Sequence, residues 1–423
     1  MRSAVPNWRS GAVRVGVAVA VGVAAWAGDW PQFLGPDRNA VSGETGLART
    51  WPATGPKLLW SAPLGAGFAG PAVADGNVFI LDRVAEQKDV LRCFTFAEGK
   101  ELWSYAYDAV GKYSINGSRT TPTLDAKALY VVGPLGHFHR LDRATHQPTW
   151  RKHLLDDFGG KLPTWAVSQS PLLVGDLVIV APQSPTAGVV AYRRESGDLV
   201  WKSAPLGPLS YCSPVLATLG GVEQVIQISA QGTVSGIAVA DGRLLWQYKG
   251  WQCSIPIASP LVLADGRVFI TGEYGAGSVM LKVTAADGAF SVGEVYKTKE
   301  CMSQIHQPLV VQDYLYANSN GNKARDGFVC LDLNTGALKW KTGNAPNYER
   351  GSLMMADGMI FAVNGQDGTL AIIEPSPTQF KLLASAKVLK GGQAWAPMAL
   401  VDGKLLIRDQ RDLKCFDVRA PAP

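Results

Sequence analysis

The residues of this chain best suited to chemistry gather in eight short loops, 64–70, 115–121, 164–170, 207–213, 253–259, 301–307, 346–352 and 390–396. These loops supply Asn116 and Arg119, Trp165 and Gln169, Tyr211, Gln304 and His306, Tyr348, Glu349 and Arg350, and Trp395. Aromatic faces beside amide and guanidinium donors suit a planar oxygen-rich ligand, a sugar or a peptide segment. The opposing reading is structural: Gln and Ser satisfy backbone groups where strands converge, and the aromatics fill space. Glu349 is the only carboxylate in the eight loops. Calcium takes roughly six to eight oxygen ligands, usually with several carboxylates, so these loops alone do not provide its site. Carboxylates outside them, such as Asp108, Asp156, Asp157 or Glu300, could reach in. His306 is the only histidine in the loops. It serves as a general base only with a suitable partner, and without one it is a hydrogen-bonding neighbour.

A repeat positions the loops. Pro71, Pro122, Pro171, Pro214, Pro260, Pro308 and Pro397 each begin a unit, with Leu353 in place of proline in the seventh. The period is about 47 residues, a length at which each repeat is one small sheet that needs neighbours. Most units then show a two-residue turn such as Asp75-Gly76, Asp265-Gly266, Asp357-Gly358 or Asp402-Gly403. These pairs tolerate the positive φ of hairpin turns. A short apolar run follows, as in Val78-Phe79-Ile80 or Val178-Ile179-Val180, which reads as a strand buried on both faces.

The units close on Gly-x-x-x-Trp, giving Trp103, Trp201, Trp246 and Trp340, with Trp150 ending a variant turn. Unit five has Phe290 and Tyr296 instead, and unit seven runs into a proline-interrupted turn at 374–377. Unit eight stops after Val418 without a fourth strand, whereas Lys57-Leu58-Leu59-Trp60 stands alone before the first unit. The spacing therefore predicts an all-β, eight-bladed propeller of four-stranded antiparallel blades. The strand at Trp60 closes the last blade and removes the open edges. The recurring tryptophans read as packing between blades.

The Asp-x-x-Thr-Gly-x-x-x-Trp ending of unit six and its relatives resemble the tryptophan-docking repeat of the quinoprotein, or PQQ-like, propellers. That family includes pyrroloquinoline quinone (PQQ) dependent alcohol dehydrogenases and BamB-type outer-membrane assembly proteins. Residues 29–36, Asp-Trp-Pro-Gln-Phe-Leu-Gly-Pro, look like the leader that precedes such repeats in exported bacterial proteins. The resemblance implies the fold, and it admits both enzymes and scaffolds. The enzymes sandwich PQQ between a tryptophan and a disulfide of adjacent cysteines, with calcium held by Glu, Asn and Asp; no two cysteines are adjacent here. The leading expectation is a non-catalytic binding or assembly scaffold holding a protein segment or small polar ligand. PQQ with calcium belongs to the alternative, a dehydrogenase oxidising an alcohol or sugar.

Residues 1–27 carry Arg2, Arg9 and Arg14, an apolar run and Ala25-Trp26-Ala27, the pattern of a cleaved secretory signal peptide. A single domain over 28–423, exported to the periplasm or cell surface, is expected. No lipidation cysteine follows the signal peptide, so the mature chain is expected to be soluble without a stable membrane anchor, and a monomer is expected. Loss of the three arginines lowers the net charge from +5 to +2, which gives no electrostatic case for nucleic acid. Cys93, Cys330 and Cys415 share one position of the third strand, where other units place Ala191 and Gly236, so they read as small buried residues. Cys253 and Cys301, in consecutive loops, either pair or stay free. His137 and His139 share a strand face, but two nitrogens do not make a metal site.

Overall fold

The computed structural model describes residues 28–321 and 325–421. The signal-peptide expectation for 1–27 lies outside the described residues. Eight four-stranded antiparallel blades form the ring, each strand pairing with the next in sequence except the outer strand of blade 8, and blade 7 carries one added strand. Blade 6 is representative, with Leu309–Val311, Tyr314–Asn320, Arg325–Asp332 and Leu338–Lys341. The hairpin turns follow from the Asp-Gly pairs: Asp75 and Gly76 have φ of 49° and 70°, and Asp357 and Gly358 have 48° and 71°. Both central residues of such a turn need positive φ, which matches the twist of the flanking strands. The second strands are mostly buried, and Met359–Val363 is buried throughout.

Lys57–Pro63 pairs with Asp412–Asp417 as the outer strand of blade 8, so the two ends of the chain close the ring as expected. Trp60 then meets blade 1: its indole Nε1 donates to the Phe96 carbonyl at 3.0 Å. Trp150 bonds the Arg194 carbonyl of blade 3 at 2.9 Å, and Trp201 the Val239 carbonyl of blade 4 at 2.8 Å. The ring of each lies where a glycine of the next blade has no Cβ; a Cβ on Gly197 would sit 2.9 Å from Trp150. In unit five Tyr296 takes this role against Gly336 and bonds the Leu333 carbonyl. All of these tryptophans but Trp150, which opposes Arg140, also have a small cross-strand partner: Cys93 opposes Trp103, Cys330 opposes Trp340 and Cys415 opposes Trp60. Ala191 and Gly236 fill the same place opposite Trp201 and Trp246. The repeated residues thus account for packing between blades.

The proline-interrupted unit seven still has a fourth strand, Leu382–Lys387, and it gains a fifth. Val41–Ser42 pairs in parallel with Met355 and Ala356 of its inner strand. Between blade 1 and this point the leader crosses the ring. Trp30 bridges Val73 of blade 1, and the Pro31 carbonyl accepts from Leu124 of blade 2. Arg38 donates to the carbonyls of Pro171 at 2.9 Å in blade 3 and Pro214 at 3.3 Å in blade 4. The Arg38 carbonyl accepts from Gln307 of blade 6 at 3.4 Å. All these partners lie at or beyond the loops that lead into the inner strands, so the leader spans the channel beneath the loops and closes it from that side.

Candidate functional site

Above the leader lies a cavity of about 440 Å³, walled by the loops that lead into the inner strands. Its two sides differ. Blades 8, 1 and 2 contribute Trp395, Phe68 and Arg119; blades 5 and 6 contribute Ile255, Ile257 and Ile305. Trp165 and Tyr211 line the arc between them, Gln304, His306 and Arg350 complete it, and Phe33 of the leader lines its lower side.

Backbone bonds between neighbouring loops position these side chains. Phe68 N–H donates to the Ser118 carbonyl at 2.6 Å, Ser114 to Thr164 at 3.1 Å, and Tyr211 to Pro256 at 3.1 Å. The loop carrying Arg119 is further held by Arg83, a guanidinium with no exposed surface. Arg83 bonds Asp89 at 2.7 Å and donates to the Ala109 and Gly111 carbonyls and to Asn116 Oδ1. Burial pushes the Asp89 carboxyl up to about 6, although the neighbouring Arg83 pulls the other way. Asn116 therefore anchors the loop and is absent from the cavity wall.

The aromatic wall is layered. Phe68 and Trp395 stack with centroids 5.3 Å apart and planes at 21°. The Arg119 guanidinium lies 5.2 Å from the Phe68 centroid, and the Arg350 guanidinium 5.3 Å from that of Trp395. These are cation–π distances. Glu349 stands behind this wall. It accepts from Trp395 Nε1 at 3.1 Å and pairs with the Arg350 guanidinium, whose Nε donates to Gln304 Oε1. Gln304 Nε2 in turn reaches the Tyr274 hydroxyl at 3.1 Å.

Of the residues named from sequence, Arg119, Trp165, Tyr211, Gln304, His306, Arg350 and Trp395 line the cavity. Gln169 does not: both ends of its amide bond the backbone of Ala181 at 2.6 Å, the structural role weighed against binding. Tyr348 packs edge-on against Phe328 at 5.9 Å, inside the core between blades 6 and 7. Sequence reasoning missed Phe33, Phe68, Tyr274 and the three isoleucines. Phe68, Ile255, Ile257 and Ile305 stand in the named loops, and that location was their only signal. Cys253 and Cys301 are both buried free thiols; Cys301 lies 3.7 Å from the Thr271 hydroxyl.

His306 Nε2 lies 3.0 Å from the Trp395 carbonyl, an acceptor, so this nitrogen carries the proton and donates. Burial holds His306 down to about 4, against the pull of that bond, so it is neutral at pH 7. His137 and His139 are likewise lowered, mainly by burial, to about 4 and about 3. Because these values lie below the ~6.5 of an unfolded histidine, the stability they contribute is complete above that pH. It is lost as pH falls from there toward the folded values. Buried His306 alone is expected to cost about 2 kcal/mol between pH 7.5 and 5.0. Urea unfolding at the two pH values measures this, and His306→Gln should reduce the difference by that amount. An unchanged difference in the variant contradicts the assignment.

Gly351 fixes the loop that presents Arg350. A Cβ there would lie 1.6 Å from the Val363 carbonyl oxygen, so even alanine forces the loop off its strand. Gly351→Ala is expected to cost about 1–3 kcal/mol as an overpacked site. Thermal unfolding checks the cost; an undisturbed melting temperature would show that the close approach is relaxed in solution.

The family model described as outer membrane protein assembly factor BamB matches residues 87–342, more than half of the chain. The outer membrane protein assembly factor BamB of Burkholderia pseudomallei (strain K96243) is 22% identical over 229 residues, covering 52% of this chain and 54% of that protein. The chain thus matches about half the length of this curated relative. Among solved structures, BamB from Moraxella catarrhalis superposes with a TM-score of 0.62 at 15% identity, covering 86% of this chain and 99% of that one. Quinohemoprotein alcohol dehydrogenase from Comamonas testosteroni gives 0.62 at 13%, covering 93% and 81%. A europium-containing methanol dehydrogenase gives 0.65 at 12%, covering 90% and 89%. At such identities the structural likeness concerns the fold alone, and it extends to BamB and to dehydrogenases alike. The matched repeats and the ring they build show that the chain belongs to the PQQ-like β-propeller family whose model is described as outer membrane protein assembly factor BamB.

Proposed function

We propose that this protein is an exported, monomeric, non-catalytic binding scaffold that holds a protein segment or small polar ligand at the mouth of its channel. The observation that carries this reading is the composition of the cavity. It is closed beneath by the chain's own leader and lined by aromatic, aliphatic, amide and guanidinium groups, with no carboxylate. A pre-formed mouth of this kind binds with little ordering cost. The Burkholderia pseudomallei relative, named as an outer membrane protein assembly factor, supports a protein partner and an exported location.

The dehydrogenase reading draws on the flat Trp395 face and on the two dehydrogenase folds. The donors present do not fit its calcium. Among the described residues no group of three His, Cys, Asp or Glu side chains could hold a metal. The one mouth carboxylate, Glu349, is engaged by Arg350 and Trp395. The one histidine of the wall, His306, is a poor base, because burial lowers its pKa to about 4 and its Nε2–H is committed to the Trp395 carbonyl. Titration of the purified protein with PQQ and Ca²⁺, followed by absorbance and by dye-linked alcohol oxidation, tests this. We expect no dye reduction; stoichiometric PQQ binding with dye reduction overturns the scaffold reading.

A further inference from the structure

The distribution of charge around the cavity narrows the ligand. On the wall of blades 5 to 7 Arg350 is matched by Glu349, and Glu273 is buried beside Gln304. The wall of blades 1 and 2 is not matched. Arg119 has no ion-pair partner among the described residues, and its guanidinium donates only to the carbonyls of Ser114, Ile115 and Gly117. It is clasped between the faces of Phe68 and Tyr113, at 5.2 and 5.0 Å. Burial lowers its pKa, the sign of a cation short of solvent and of counter-charge.

A second uncompensated guanidinium lies below. Arg38 is buried under Phe33, 5.7 Å from its ring, and is satisfied by carbonyls and one amide with no carboxylate. Its Nε has no partner. A cavity with Arg119 on one wall, Ile255, Ile257 and Ile305 across from it, and a second unmatched cation beneath Phe33 is amphipathic in a defined sense. An anion placed at Arg119 leaves an apolar body facing the isoleucines and the Phe68–Trp395 stack. Buried cations of this kind gain most from a desolvated anionic partner.

We propose that the cavity receives a carboxylate carried on an apolar body, with the carboxylate bonded by Arg119 and the body against Ile255, Ile257 and Ile305. The same chemistry is offered by a free aryl or alkyl acid and by the C-terminus of a chain ending in an apolar residue. The inference rests on the scaffold reading for its site, and its test is separate from that reading.

The probes are 3-phenylpropionate, its uncharged amide, and 3-phenylpropylamine, titrated calorimetrically into the full mature protein. Two hexapeptides ending in Phe, one with a free and one with an amidated C-terminus, distinguish the sources. The acid is expected to bind at least about tenfold more tightly than the amide, and the amine not at all. Arg119→Gln should abolish the acid's advantage without changing amide binding, and Arg119→Lys should restore part of it. Thermal unfolding of both variants separates loss of the guanidinium from loss of the fold. A free-carboxylate peptide that outcompetes 3-phenylpropionate identifies a chain end as the source, and the reverse order identifies a small acid. Equal binding of acid and amide, preference for the amine, or no binding by any probe overturns the proposal. Those outcomes leave the scaffold reading standing, whereas dye reduction with PQQ removes it whatever the acid-to-amide ratio.

Discussion

Trp60→Ala is expected to destabilise the protein by about 3–5 kcal/mol, the range for removing a buried tryptophan. Trp60 is 7% exposed, bonds the Phe96 carbonyl, and fills the space over Gly99. It also sits on the strand that joins the two ends of the chain, so its loss acts on ring closure as well as on packing. Urea unfolding measures the cost. Hydrogen exchange should show the additional protection loss in 57–63 and 412–417, whereas Trp201→Ala, with the same packing role between blades 3 and 4, should leave those strands protected. Equal exchange in the two variants would show that closure at Trp60 is no different from any other contact between blades.

The second large effect concerns the loop behind Arg119. Asp89→Asn leaves Arg83 buried with a full charge and no carboxylate, and breaking one side of a buried pair costs about 3–5 kcal/mol. Arg83 and Asp89 side chains have no exposed surface, so water cannot relieve the remaining charge. Arg83 also gathers Ala109, Gly111 and Asn116, so the loss should spread into 109–119 and displace Arg119. Chemical unfolding gives the magnitude. The double change Arg83→Met with Asp89→Leu, which removes both charges, should recover most of it; a double variant as unstable as Asp89→Asn would show that the pair is valued for its hydrogen bonds to the loop rather than for neutrality.

The sequence discloses the ring and conceals the crossing of it. Blade number, the Asp-Gly hairpins and closure at Trp60 all follow from a pattern repeated with small errors, and even Tyr296 obeys it by docking on Gly336. The leader makes each contact once, from residues with no repeat. Arg38 meets Pro171 across 133 positions of chain, and no periodicity predicts such a pairing. Phe33 lines the cavity for the same unreadable reason. Within the loops, residue type told which side chains could bind but not which way they face. Arg119 and Trp395 face the cavity, while Gln169, chemically as suitable, turns inward because the Ala181 backbone, just past the second strand of blade 3, needs both ends of an amide. Ile255 and Ile257 carried no signal beyond their place in the loops, yet they form the wall across from Arg119.

The central claim is that the cavity mouth is where this protein meets its partner or ligand. A photo-crosslinking residue placed at Gln393, on the cavity wall, and another at Leu382, exposed on the outer strand of blade 7, test it in intact cells. The account predicts a discrete adduct from Gln393 that is lost when Arg119→Gln is added, and none from Leu382. Adducts from Leu382 with none from Gln393 would place recognition on the outer rim and contradict the account.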